Sequence, residues 1–539
     1  MPQNRNFLFV SDLHLSEGRY PDSGKLSRNE DFFQDESFAR LVAFHVGKCV
    51  GSQSPPHYQG VPWTLVINGD VFDFLQVVSL PKEGAELAQV KGVTTYEALK
   101  ALSASEAKYG LGTRSPEIVW KLRQVAKGHP VFFQALAWFV AHEGNRLVLM
   151  KGNHDIELYW PEVQTAFRDE LVRAYGVWRT AVSQMHDSWP LPWHDGLPDV
   201  LDRAALDTAV TFPAEYYLES GLFYAEHGCQ YDPLNHFTNF SDPRLPHKPE
   251  LIELPSGSFF VRYFFNKVEE IHPFADNIKP IIKYINWVIN NAPSAAVRVL
   301  VDLLPKYVVA LLKLKKKEFQ DWRRRMQGQE RTPQANLESA SGRFENELRQ
   351  IQARIRKQMG RMSKLSSLGT ITSLVFKLGG WLLLFTAVRA FVNSEYGATV
   401  LYLVLSGLAG FAGSYLVRLL DEVLASSYLL TAAKEVNKLL NAAGDLSSVP
   451  FLIYGHDHAA SLHKLGEPEG RPFTQWYINT GTWIPVFKED ERLLREDVQL
   501  TFLRLVPGKP GFLQQPPELL QWDADADRPR EIRMFEKGA

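Results

Sequence analysis

The chain has 539 residues, 45% of them hydrophobic and 22% charged, enough for two or more structural units with a genuine core. A formal net charge of −2 excludes the global positive field of a dedicated nucleic-acid binder, though it leaves local patches open. The two cysteines, Cys49 and Cys229, exclude a disulfide framework and fit a reducing compartment. Cys229 stands close to a candidate ligand in sequence and reads as a packing residue.

The opening, "MPQNRNFLFVSDLHL", runs almost directly into a strand. It has no long apolar region and no small-residue cleavage site, so no removable leader is expected. Residues 1–160 read as alternating strands and helices. "NFLFVSD" is a short buried strand, "ESFARLVAFHVGKCV" has helical spacing, and "WTLVINGDVFDF" is a strand ending in Gly-Asp. "EIVWKLRQVAKGHPVFFQALAWFVAHEG" reads as helix, and "RLVLMKGNHDIELYW" is a strand ending in Gly-Asn. Each strand is a brief apolar run that stops at a polar cluster. "GLFYAEHGCQYDPLN" repeats the pattern with His227, and "VPFLIYGHDHAA" repeats it with His456 and His458. "QWYINTGTWIPVF" and "REDVQLTFLRLVPG" add further strands, and the charged C-terminus reads as loose.

A segment of different character separates His227 from His456. Residues 258–320 are apolar at helical spacing, "LKLKKKEFQDWRRRMQ" (312–327) is strongly basic, and 336–365 reads as a long polar helix. Tyr396 to Val417 carries no charge; at about 1.5 Å per residue it would span roughly 33 Å, against a hydrocarbon core of about 30 Å. "LGTITSLVFKLGGWLLLFTAVRAFV" upstream is nearly as apolar apart from Lys377 and Arg389. The expectation is a two-helix transmembrane hairpin, the alternative a helical hairpin inside a larger cap. If both flanks build one site, the number of spans is even. The basic run Arg354 to Lys364 then puts the catalytic part on the cytoplasmic side, with membrane localisation and oligomer formation through the hairpin as corollaries. The expected units are 1–245 and 449–539 as two parts of one domain, 246–365 as a helical, partly basic insertion, 366–420 as the hairpin and 421–448 as a helical return.

The polar strand ends, in order, are Asp12-Leu13-His14, Gly69-Asp70, Gly152-Asn153-His154-Asp155, His227-Gly228 and Gly455-His456-Asp457-His458. Any one alone is weak, since a lone Gly-Asp is usually a turn. Five in this order, each closing an apolar run, point to one site at the carboxyl ends of strands.

The set resembles the signature of the calcineurin-like metallophosphoesterase superfamily, DxH, GD, GNH[DE], H, GHxH, across residues 12–458. The resemblance implies an α/β fold, a two-sheet β-sandwich flanked by helices, here with a large helical insertion. It implies two divalent metal ions, most readily Mn with Fe or Zn as alternatives, since mixed nitrogen and oxygen donors suit these ions. Asp70 would bridge the ions. Asp12, His14 and His458 would complete one ligand set, and Asn153, His227 and His456 the other. Two ions about 3.5–4 Å apart can activate water and neutralise a phosphoryl group. His154 would contact the phosphate and protonate the leaving oxygen, with Asp155 orienting or charging its ring. Asp73, Asp457 and Asn479 read as supporting or turn residues.

The implied activity is hydrolysis of a phosphodiester, phosphomonoester or diphosphate bond. "SDLHL", "GDVFDF" and "HGCQYDPLN" look similar to the branch containing the UDP-2,3-diacylglucosamine pyrophosphatases, whose substrate is a lipid-linked diphosphate. That branch is shorter, lacks the hairpin and carries arginine in place of His154, so its substrate is not transferred. Two other classes stay open. The basic stretch with Trp322 would suit a tethered nuclease, although a solvated or lipid-attracted helix face is the plainer reading. A scaffold with a vestigial site is the other, and the intact ligand types argue against it.

Overall fold

The computed structural model describes residues 5–50, 58, 60–98, 100–184, 191–192, 196–266, 340–424, 428–443, 448–468, 470–490 and 493–532. The basic stretch 312–327 and most of the expected insertion 246–365 lie outside the described residues.

Sixteen strands are described. The first six are β1 (Asn6–Val10), β2 (Trp63–Asn68), β3 (Arg146–Met150), β4 (Val210–Thr211), β5 (Tyr217–Glu219) and β6 (Phe223–Ala225). A small hairpin, β7 (Arg244–Leu245) and β8 (Lys248–Ile252), follows. The later ones are β9 (Phe451–Tyr454), β10 (Ser461–Gly466), β11 (Gln475–Asn479), a second hairpin of β12 (Pro485–Asp490) and β13 (Leu493–Val498), then β14 (Thr501–Leu505), β15 (Glu518–Asp523) and β16 (Arg528–Glu531). Seven strands form one mixed sheet in the order β16-β15-β14-β1-β2-β3-β4, and five form another in the order β10-β11-β9-β6-β5.

The alternation of side chains along a strand explains why these runs are apolar throughout. In β1, Phe7 and Phe9 face the second sheet and meet Phe223 edge-on at 5.1 and 5.0 Å. Leu8 and Val10 face the other way, into a core shared with helices Asp35–Val50, Pro130–Ala141 and Pro161–Gln184. β2 and β3 divide likewise, with Val66, Val148 and Met150 between the sheets and Leu65, Ile67, Leu147 and Leu149 against the helices. In β9, Phe451 and Ile453 face the first sheet. Leu452 and Tyr454 pack under helix Tyr428–Ala442 and the start of helix Ala340–Val392. The result is four layers: helix, sheet, sheet, helix. β1, β2 and β3 run parallel, as do β6 and β9, so the polar strand ends gather at corresponding edges of the two sheets.

The structure corrects the expected transmembrane hairpin. Helices Ala340–Val392 and Tyr396–Leu424 do form, and Ser406 Oγ donates to the Gly380 carbonyl between them at 2.8 Å. Among the described residues, however, no helix is long and apolar enough to cross a membrane. The first helix begins with charged turns (Arg343, Glu345, Glu347, Arg349), and Lys377 and Arg389 interrupt its apolar end. Thr399, Tyr402, Ser406 and three glycines dilute the described part of the second. Membrane localisation, which rested on this hairpin, is withdrawn with it. Several large apolar side chains of the pair, Phe385, Val392 and Phe411 among them, are nevertheless exposed.

Candidate metal centre

All five expected motifs lie immediately after buried strands, and the backbone there is unusual. Eight described non-glycine residues have positive φ, and five of them are Asp12, His14, Asp70, His456 and His458. Left-handed backbone at such residues is unfavourable and gathers where function requires it. Three glycines make room for the side chains. A Cβ at Gly69, where φ is +86°, would collide with the His227 ring, and one at Gly152 with Asp70 Oδ1. A Cβ at Gly455 would come 2.7 Å from Asp12 Oδ2. The loops are tied together by backbone: Asp12 N–H donates to the Gly69 carbonyl (3.1 Å), and Leu13 and His14 N–H both donate to that of Asp70 (2.9 Å each). From the opposite side, Thr482 Oγ1 donates to the Asp12 carbonyl at 2.6 Å.

The side chains form three adjoining groups: Asp12, His14 and His458; Asp70, His227 and His456; and His14, Asp73 and His154, with the ligand atoms of each group within 4.8 Å of one another. In the first, His14 Nε2 lies 3.3 Å from His458 Nε2, which lies 3.3 Å from Asp12 Oδ1. Two donors on one tetrahedral ion, each about 2.0–2.1 Å from it, would be about 3.3–3.4 Å apart. In the second, His227 Nε2 is 3.1 Å from Asp70 Oδ2, and that same oxygen is 3.8 Å from His14 Nε2. Asp70 Oδ2 therefore faces both groups, while its Oδ1 accepts the His154 N–H at 2.8 Å.

The donor set fits divalent cations. His227 Nδ1 donates to the Asn68 carbonyl at 2.9 Å, which leaves Nε2 facing the Asp70 carboxylate as the position for a proton or a cation, without a hydrogen bond of good geometry. Asn153 Oδ1 is buried and lacks a hydrogen-bond partner. Buried acceptors facing one another need a cation or a proton between them. Burial works against charging His227, but the Asp70 carboxylate outweighs it and raises the imidazole to about 10. Asp12 and Asp70 are fully buried, which alone would favour their neutral forms; the surrounding histidines, His458 for Asp12 and His227 for Asp70, hold both well below the usual carboxylate range. Two outer carboxylates stand beside the rings, and one of them is at hydrogen-bonding distance. Asp73 Oδ2 is 3.6 Å from His14 Nδ1, and Asp232 Oδ2 is 3.2 Å from His456 Nε2. An imidazole held at one nitrogen by a carboxylate offers the other as a ligand; for His456 that is Nδ1.

His154 sits beside these groups, its ring edge-on to His14 at 4.6 Å and its Nδ1 2.5 Å from Asp73 Oδ2. Asp73 is anchored in turn, accepting the Leu75 and Gln76 N–H groups at 3.0 Å each through Oδ1. The carboxylate on His154 is thus that of Asp73. Asp155, expected from sequence to orient that ring, spends its oxygens on backbone, accepting the N–H groups of Gly152 (2.6 Å) and Val71 (2.7 Å). Burial, with Asp70 nearby, pushes Asp155 up to about 7. Asp457 and Asn479 form the expected turn, Asn479 Nδ2 donating to Asp457 Oδ1 at 2.7 Å and to the Gly455 carbonyl at 2.8 Å. Cys229 is buried among Ile156, Phe237, Phe240 and Ile252, as a packing residue.

Sequence reasoning missed Asp232, although it lies in "HGCQYDPLN" five residues beyond His227, and it missed Glu30. Glu30 Oε2 accepts from Ser16 N (3.1 Å), Ser16 Oγ (2.8 Å) and Gly18 N (2.7 Å), and lies 3.1 Å from His129 Nε2. It pins the loop that carries His14. Compared with known proteins, the chain matches no family model, no curated protein and no solved structure.

Proposed function

We propose that this chain is a dinuclear metal-dependent phosphoesterase, hydrolysing a phosphodiester, phosphomonoester or diphosphate bond. The observation that carries the reading is Asp70 Oδ2 facing two His/Asp groups at once, 3.1 Å from His227 and 3.8 Å from His14. The order of the motifs, which resembles the calcineurin-like metallophosphoesterase signature, supports it. Asp12, His14, His458 and Asp70 would hold one ion, and Asp70, Asn153, His227 and His456 the other, with Mn the first choice and Fe or Zn the alternatives. Such a pair, when bound, supplies activation of the nucleophile at neutral pH and neutralisation of phosphoryl charge.

The protein's own part is positioning and proton delivery. As water's oxygen bonds to phosphorus and the ester P–O bond breaks, the departing oxygen needs a proton. His154, oriented by Asp73 through Nδ1, delivers it from Nε2. The test is metal content together with hydrolysis of bis(p-nitrophenyl) phosphate by Mn-loaded wild type and Asp70→Asn. Two ions per wild-type chain, and at least about a hundredfold loss of activity in a variant with depleted metal, are expected. Full activity in metal-verified Asp70→Asn would refute the assignment. Diphosphates, soluble nucleotides and single-stranded nucleic acid in the same assay define the substrate class.

A further inference from the structure

A cavity of about 390 Å³ opens between the loop that follows His14 and the loop that follows Asp73. Lys25, Arg28 and Lys108 line it, together with Tyr20, Tyr109 and Asn266, and no carboxylate residue does. All three cations are exposed, and among the described residues no Asp or Glu pairs with any of them. Some other surface cations are paired, as Lys82 is with Asp22 at 3.2 Å and Arg203 with Asp169 at 2.7 Å. Three unpaired cations around one concavity make a local positive potential that favours an anion.

A second feature joins the cavity to the candidate site. Asn266 is 4% exposed; its Nδ2 donates to the Leu75 carbonyl at 2.8 Å, and its Oδ1 has no partner. The Leu75 carbonyl can only accept, so the amide is oriented with its oxygen left over. Leu75 lies two residues beyond Asp73, whose carboxylate holds His154, and Asn29 Nδ2 donates to the next carbonyl, that of Gln76, at 3.4 Å. The loop that carries Asp73, the carboxylate on His154, therefore also supplies Val78 to the cavity wall.

We propose that this cavity is a subsite for a second anionic group, a phosphate, at the far end of the substrate. It rests on the phosphoesterase reading and deepens it: the preferred substrates bear two separated anionic groups, with the ester bond over the histidine cluster and the second group on Arg28, Lys25 and Lys108. A free phosphorylated effector would offer the same chemistry, and the experiment separates the two.

Glycerol 3-phosphate is titrated calorimetrically into the full chain carrying Asp70→Asn and stripped of metal, so that the histidine cluster contributes little. Saturable binding, absent for glycerol and weakened at least tenfold by adding Arg28→Gln and Lys108→Gln, is expected. Both positions are exposed, so the fold should tolerate the changes; Lys25→Glu provides an independent variant expected to weaken binding in the same direction. Absent binding, or affinity unchanged by these substitutions, overturns the proposal. With the metal-loaded, otherwise wild-type enzyme, inhibition that raises KM and is relieved by the double substitution supports the substrate subsite. An effect on kcat alone overturns it in favour of an effector site. Loss of hydrolysis in Asp70→Asn is scored separately, so the phosphoesterase reading can stand or fall without the cavity.

Discussion

Asp73→Asn tests the assignment of His154 most sharply. Asp73 has two imidazole neighbours, His154 Nδ1 at 2.5 Å and His14 Nδ1 at 3.6 Å. Only the first is a hydrogen-bonding distance, and a Coulomb energy that falls as 1/r also favours it. The carboxylate is fully buried, and burial alone would neutralise it; His154 first and His14 second reverse that and hold it ionised. Asparagine keeps the shape and removes the charge. Loss of a carboxylate behind a working histidine typically costs 10–100-fold, about 1.4–2.7 kcal/mol of barrier. The whole general-acid contribution, about 10²–10⁴-fold, sets the ceiling. Because the loss is in proton delivery, it should depend on the leaving group. Hydrolysis of an alkyl phosphoester, whose alkoxide needs a proton, should fall by the full factor, and that of a p-nitrophenyl ester, which leaves readily as an anion, far less. The assay is kcat for both esters on protein with measured metal content. Equal losses for the two esters, with metal retained, would refute the acid role. Loss of one ion would instead mean that Asp73 acts chiefly through His14.

Three further outcomes follow from particular contacts. Asp232→Asn should weaken one metal site by about 10–100-fold and leave the other, because Asp232 touches only His456 of the ligands; competition with a chelating dye reads both affinities. Gly152→Ala should lower metal content and stability together by displacing Asp70, since its new Cβ would meet both the carboxylate and the backbone nitrogen of Asp70, with a cost of about 1–3 kcal/mol in denaturant unfolding. His129 is buried between Glu30 and Asp35, at 3.1 Å from each; burial opposes its charge, but the Glu30 and then the Asp35 carboxylates raise it to about 10. A folded value above the unfolded value of about 6.5 means the contribution is complete below pH 6.5 and is lost as pH rises towards 10. The stability difference between wild type and His129→Gln, on the order of a few kcal/mol at pH 6, should therefore shrink by pH 9.5. A constant difference across that range would show that the ring acts by packing alone.

The parts of the site legible in the sequence were those written as local phrases. Asp12, His14, Asp70, Asn153, His154, His227, His456 and His458 each follow an apolar run, and a run buried on both faces is the mark of an interior strand. Their order along the chain points to one cluster. What was not legible was pairing across the fold. Asp155 is adjacent to His154 in sequence, yet a residue inside a tight turn turns its side chain to that turn's own N–H groups, and Asp155 does so with Gly152 and Val71. Asp73 reaches the ring from another strand end, 81 positions away. The hairpin misled for a related reason: hydropathy along a segment says that its side chains are apolar, not what surrounds them.

The positive φ angles show what the two-sheet frame is for. Left-handed backbone costs a non-glycine residue about 1–2 kcal/mol, so Asp12, His14, Asp70, His456 and His458 together cost on the order of 5–10 kcal/mol, comparable with the whole net stability of a domain. Glycine would remove that cost and also remove the candidate ligand. The loops must therefore be held from outside, and the observed contacts do so. The Asp70 carbonyl accepts two N–H groups of the first loop, Thr482 grips the Asp12 carbonyl, and Asp12 in turn accepts the His456 N–H at 3.0 Å. That last bond spans the two sheets, tying the end of β1 to the end of β9. Neither sheet alone contains both groups of ligands, so packing the sheets through Phe7, Phe9, Phe223 and Ile453 is the same event as assembling the site. A substitution that loosens that apolar seam should accordingly act on metal affinity before it acts on secondary structure.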